Sequence, residues 1–134
     1  MNKKSLTAVF IFIAVSLFAQ FPLNTDSIGN RTQSQGIYLA PMYSDSLSSS
    51  FCIVIKKEVK AHKHQYHSEH VYVLEGEGRM KLGDITFIIR KGDLLFIPKN
   101  TVHSVVNTGK IPLKVLSIQA PLFDGKDRVM VDQN

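Results

Sequence analysis

From residue 37 to residue 120 the chain divides into eight short apolar runs of β character, and nothing of helical length and period separates them. The runs cover residues 37–40, 51–59, 70–75, 79–82, 85–90, 93–97, 102–107 and 113–120. Gly76 with Gly78, Gly83-Asp84, Lys91-Gly92 and Thr108-Gly109 fall between them, where a hairpin has to reverse. With no helix available to cover a sheet, such strands must stack or close on one another. An all-β sandwich or barrel is therefore predicted.

The chain of 134 residues, 44% apolar, can build one modest core and is too short for two. Residues 1–19 read as an export signal: Lys3 and Lys4 form the charged start, residues 6–18 the apolar stretch, and Ala19 a small residue before a cut at Gln20. That apolar stretch falls short of the roughly twenty residues needed to span a bilayer. The expectation is a periplasmic or secreted protein with no stable membrane insertion after cleavage. Residues 20–35 are polar and without apolar period, so they should hang from the domain or lie along its surface. The domain itself is expected over 36–123, with 124–134 as a C-terminal tail.

Cys52 is the single cysteine, which rules out an internal disulfide and leaves stability to packing and to any bound metal. Of the formal charge of +5, Lys3 and Lys4 contribute two, and no Lys/Arg run exceeds two residues. A nucleic-acid role has little support in that distribution.

Two segments carry the chemistry. The first, AHKHQYHSEHVYVLEGEG from Ala61, holds His62, His64 and Glu69. The second, GDLLFIPKNTVHSVVN from Gly92, holds His103 after a proline turn. Residues two apart on a strand point the same way, so His62 and His64 can aim at one cavity while Lys63 points outward. Glu69 shares a face with Val71 and Val73, and His103 with Val105 and Asn107. Three imidazoles and a carboxylate form a complete donor set for a divalent transition metal: iron, manganese, nickel, copper or zinc. Phe51, Ile53, Ile55 and Val59 have a parity that His62 and His64 do not share. A bulge near Lys60-Ala61 would supply the slip and keep Lys56, Glu58 and Lys60 out of the interior. His67 and His70 are expected on the surface or supporting the ligands, with coordination through His67 in place of another donor as the lesser alternative. Cys52 is expected as buried strand filling.

These residues resemble the two motifs of a small single-domain cupin, of the RmlC-like jelly-roll superfamily. The first motif is Gly, five residues, His-x-His, three or four residues, Glu, six residues, Gly; it is met by His62, His64, Glu69 and Gly76. The second is Gly, five residues, Pro-x-Gly, two residues, His, three residues, Asn; it is met by Gly92, Pro98, His103 and Asn107. Lys56 and Asn100 stand where the pattern has glycine. The resemblance spans about residues 36–123 and implies a double-stranded β-helix, with His62, His64, Glu69 and His103 as metal ligands.

An ion held by four protein donors in octahedral geometry keeps about two positions open for water, oxygen or a chelating small molecule. Cupins include dioxygenases, sugar isomerases and decarboxylases as well as members that only bind. The expectation is a metal-dependent oxygenase or isomerase acting on a small molecule in the barrel, with a non-catalytic binding module as the alternative. The signal has no twin arginine, so metal would be collected outside the cytoplasm, where intrinsic affinity favours copper or zinc. Because free imidazole titrates near about 6.5, affinity is expected to fall as pH drops through that region. Outward-facing Tyr72, Leu74, Val102 and Val106 call for a cover, from the N-terminal segment or from a second copy in a homodimer.

Overall fold

The computed structural model describes residues 21–29 and 35–132. The export signal read at 1–19 lies outside the described residues. Among those described, ten strands run in chain order: β1 (Ile37–Ser44), β2 (Ser49–Ile55), β3 (Glu58–Lys63), β4 (Ser68–Glu75), β5 (Glu77–Leu82), β6 (Ile85–Arg90), β7 (Leu94–Ile97), β8 (His103–Asn107), β9 (Leu113–Ala120) and β10 (Val129–Met130). They form two five-stranded sheets, β1-β2-β9-β4-β7 and β10-β3-β8-β5-β6, in which every pairing is antiparallel. This is the all-β architecture expected from the run of short strands, in the jelly-roll form that the cupin resemblance implies.

The period-two alternation of the sequence decides which face of each strand meets the core. On β4, Glu69, Val71 and Val73 are buried while His70 and Tyr72 are exposed. On β9, Leu113, Val115, Ser117 and Gln119 all turn inward. The apolar core gathers Ile55, Val71, Val73, Met80, Ile89, Leu95, Ile97, Val105, Leu113 and Val115 between the sheets. The outer face of the first sheet stays apolar at Tyr72, Leu94, Phe96 and Ile118. Cys52 is fully buried, as expected of strand filling.

Two expectations need adjustment and a third is met. Residues 51–59 are not one strand: the chain bends at Lys56-Lys57, and its two parts enter different sheets as β2 and β3. Alternation alone cannot register such a bend, because both halves continue to present apolar residues to the same core. The anticipated slip near Lys60-Ala61 is present as a register shift between Val59 and His62, which leaves Ala61 and His62 both buried. Residues 124–134 are more than a tail, since β10 pairs with β3, placing Met130 opposite His62. A two-residue strand lies below what sequence periodicity can signal. The N-terminal segment lies along the surface where it is described: Gly29 (φ 80°) packs so tightly that a Cβ there would come within 2.5 Å of Val54 Cγ2.

The turn after β4 depends on Gly76, whose φ is +84° and whose missing Cβ would fall 2.6 Å from the Pro112 carbonyl oxygen. Left-handed backbone and close approach both require glycine there. Gly76→Ala is expected to lower stability by about 2 kcal/mol or more, read as a lower urea midpoint with an unchanged slope.

Candidate metal centre

The four residues singled out from the sequence come together at one end of the barrel, where the chain passes from β3 in one sheet to β4 in the other. His62 is the register partner of His103 across β3 and β8. His64 lies just beyond β3, and Glu69 stands in β4 opposite Gln119 of β9. All four are buried, at 4–6% exposure. One ring nitrogen from each of His62, His64 and His103 lies within 4.8 Å of the others. Glu69 Oε2 is 3.7 Å from His64 Nε2 and 3.6 Å from His103 Nε2.

What orients the rings is the backbone. His62 Nδ1 bonds the Lys60 carbonyl at 2.8 Å, His103 Nδ1 the Thr101 carbonyl at 3.0 Å, and His64 Nδ1 the Asp127 carbonyl at 2.6 Å. A carbonyl can only accept, so the proton of each neutral ring belongs on Nδ1 and the lone pair of each Nε2 is left free. The first of these bonds lies at the register shift in β3, where His62 reaches back to the carbonyl two residues earlier. Glu69 is held in the same way: Ser117 Oγ donates to Oε1 at 2.5 Å, leaving Oε2 toward the imidazoles.

The electrostatics favour neutral rings at His62 and His64 and a charged carboxylate at Glu69. Burial, followed by the neighbouring charge of His103, pushes His62 down to about 4, against the weaker opposing effect of the Lys60 carbonyl. Burial also lowers His64, opposed by its bond to Asp127 and by Glu69. For Glu69 burial works toward the neutral acid, but His103 when that ring is protonated, the bond from Ser117, and the charge of a protonated His64 hold it below its ordinary value. Proton competition at His62 therefore sits well below the free-imidazole value near 6.5 on which the sequence expectation relied.

A clamp from the C-terminal segment holds the loop between His64 and Glu69. The buried Asp127 carboxylate accepts from the backbone N–H of Gln65 at 2.8 Å, Tyr66 at 2.8 Å and His67 at 3.1 Å, and from His67 Nδ1. His67 Nε2 faces the Leu122 carbonyl at 2.8 Å. Of the two roles expected for His67, the structure supports the supporting one and corrects the surface one. His70 is exposed and lies against Phe96, the rings tilted by 45° with centroids 4.9 Å apart, away from the cluster.

The two departures from the motif pattern are both accommodated. Asn100 takes the left-handed conformation (φ 60°) in place of glycine, and its N–H bonds the His64 carbonyl at 2.7 Å. Lys56 keeps a negative φ, so its position makes no demand for glycine. Asn107 is structural: its Nδ2 donates to the carbonyls of Lys56 at 3.2 Å and Ile111 at 3.0 Å.

From the cluster a cavity of about 140 Å³ runs into the barrel between apolar walls, with Phe123, Gln119 and Arg128 also lining it. Sequence reasoning missed Ser117, Gln119, Phe123, Asp127 and Arg128. For Ser117 and Gln119 a signal existed, since both continue the inward parity of Leu113 and Val115 with polar side chains. For the other three none did, because their place depends on how the C-terminal segment folds back.

Two outcomes follow. Asp127→Asn sets an amide N–H₂ against donors and breaks the pair with His67, so it should cost about 3 kcal/mol by urea denaturation. In metal-free protein the unfolded chain binds a proton at His62 near about 6.5, whereas the folded chain does so only near about 4. Stability is then full above the first value and lost as pH falls toward the second, Glu69 adding to the loss at the acid end. Melting temperatures taken from neutrality down to pH 4 check this, and a flat profile would contradict it.

Comparison with known proteins agrees with the geometry. A cupin-domain family model matches residues 51–119. The chain is similar to the mannose-1-phosphate guanylyltransferase RfbM of Salmonella typhimurium, 36% identical over 81 residues, covering 59% of this chain and 17% of that enzyme. It is also similar to the uncharacterized protein MJ1618 of Methanocaldococcus jannaschii, 38% identical over 71 residues, covering 53% of this chain and 57% of that protein. The chain thus spans less than two thirds of either relative. A solved structure from Klebsiella pneumoniae, a conserved protein with a double-stranded β-helix domain, superposes with a TM-score of 0.72 over 85% of this chain and 99% of that one, at 19% identity. That last likeness is one of fold. With the match running from β2 through β9 and taking in every histidine of the cluster, this chain belongs to the cupin family.

Proposed function

We propose that this chain is an exported metal-binding cupin whose centre serves a small metal-dependent enzyme of oxygenase or isomerase type, acting on a small molecule in the barrel. The observation that carries the metal reading is the common orientation of three buried imidazoles, each with Nδ1 on a backbone carbonyl and Nε2 left free. Outer hydrogen bonds of this kind are what fix the tautomer and direction of metal-binding histidines. The donor set also fits chemically: the rings His62 and His64 are biased toward the neutral form and Glu69 toward the carboxylate, the states in which each binds a cation.

His62, His64, His103 and Glu69 would hold the ion. When bound, such an ion supplies Lewis acidity or, if redox-active, oxygen chemistry. The chain's own residues set the conditions for it. Ser117 keeps one Glu69 oxygen occupied, so the carboxylate presents the other. The mostly apolar walls of the cavity beside the cluster strengthen electrostatic contacts within it. The Asp127 clamp keeps His64 from swinging away.

One observation favours a second reading, a module that binds without turnover. Among the described residues lining the cavity, the titratable groups are the four of the cluster and Arg128. A separate general acid or base is not among them, so acid–base chemistry would have to come from groups already engaged.

Protein recovered from the exported compartment of its own cells is expected to begin at Gln20 and to carry about one transition-metal ion per chain by elemental analysis. His103→Ala should weaken metal binding by at least about 100-fold; recovery of metal-free protein, or an unchanged affinity in the variant, would refute the metal reading. Chelator-sensitive turnover of a small hydroxylated or enolisable compound by the loaded protein would decide for the enzyme. Ligand protection without product would decide for the module.

A further inference from the structure

Gln119 is 6% exposed, lines the cavity and sits in register beside Glu69. Among the described residues its Oε1 has no hydrogen-bond partner, and it is the one buried side-chain polar atom there without one. A polar group left in that condition costs stability, and a leucine of similar volume would suit the position better if packing were its purpose. Inward positions earlier on the same strand are filled that way, by Leu113 and Val115. The polar group beyond them, Ser117, is fully used by Glu69. Gln119 is therefore the inward polar side chain of β9 that the metal cluster does not account for.

A second feature stands at the same cavity. Arg128 lines it from the C-terminal segment, is exposed, and lies near enough that its charge acts on His62. Among the described residues it forms no ion pair with a carboxylate, in contrast to Arg90, which pairs with Glu77 at 2.9 Å. The cavity volume of about 140 Å³ is close to that of protein cavities that accept a single benzene ring. The occupant is thus bounded in size at about six to eight heavy atoms, in charge by the guanidinium, and in polarity by one amide whose oxygen has no partner.

We propose that Gln119 is the specificity-determining residue of this site, reading a hydroxyl group on a small organic anion whose charge is met by Arg128. A hydroxyl is the group that fits, because it both donates and accepts and so satisfies the amide whichever way it is turned. The proposal rests on the metal reading only in placing the ligand beside the histidine cluster.

Lactate and propionate, which differ by one hydroxyl and are of the right size, are the probes. They are titrated calorimetrically into zinc-loaded protein and into variants whose zinc content has been checked. Wild type should bind lactate more tightly than propionate. Gln119→Leu should weaken lactate by about 5- to 10-fold, leave propionate within about 2-fold, and leave zinc affinity unchanged. Arg128→Gln should weaken both acids by a similar factor. The ligand-free Gln119→Leu protein should melt higher than wild type by a few degrees, the opposite of what loss of a structural amide would do. Equal loss of both acids in Gln119→Leu, a lower melting temperature for it, or no lactate binding by zinc-loaded wild type would each overturn the proposal. If wild type retains no zinc, the metal reading falls, and the same comparison of the two acids on metal-free protein still decides for or against Gln119.

Discussion

The Nδ1 atoms of His62, His64 and His103 are bonded to the backbone carbonyls of Lys60, Asp127 and Thr101. Each of these carbonyls is locked by secondary or tertiary structure of a different kind: a bulge in β3, a C-terminal segment folded back over the barrel end, and the turn ahead of β8. Remove the bonds and the imidazoles would have no reason to share a direction. With them, free lone pairs meet beside a carboxylate inside an apolar shell. The rest of the barrel serves to hold those carbonyls still.

Placing three imidazoles and a carboxylate at one end of a small core has a cost, because each loses hydration. The chain limits it by local bonding. Ser117 compensates Glu69, Asp127 compensates three backbone amides and His67, and burial biases His62 and His64 toward the neutral form. Toward the other end the cavity gives way to Val73, Leu113 and their neighbours, fully buried and without polar demand. The barrel is thus divided into a polar end that carries the candidate ligands and an apolar end that carries stability. Gln119 lies at the border, the one buried amide among the described residues for which the fold supplies no partner to Oε1.

Much of this was legible beforehand. The eight β runs correspond to nine of the ten strands, with residues 51–59 accounting for two. The parity conflict between Ile55 and His62 pointed to a bulge at Lys60-Ala61 because a buried lysine would otherwise result, and the register shift falls there. The ligand candidates gather because a period of two forces His62 and His64 to one side and because the second motif returns His103 to the strand beside them. The bend at Lys56-Lys57 was not legible, since apolar alternation persists across it. Nor was the burial of His67, whose partners Asp127 and Leu122 are more than fifty residues away.

The positions of most strands, their inward faces and the identity of the clustered histidines follow from the sequence by itself, because they depend on local periodicity and on turn residues, which act over a few positions. Tertiary structure alone decided which nitrogen of each ring is free, that Asp127 braces the loop between the motifs, and that Gln119 faces a cavity with Arg128 at the same wall. Those features are contacts between segments far apart in the chain. Their formation depends on how two sheets close, and no local pattern records that.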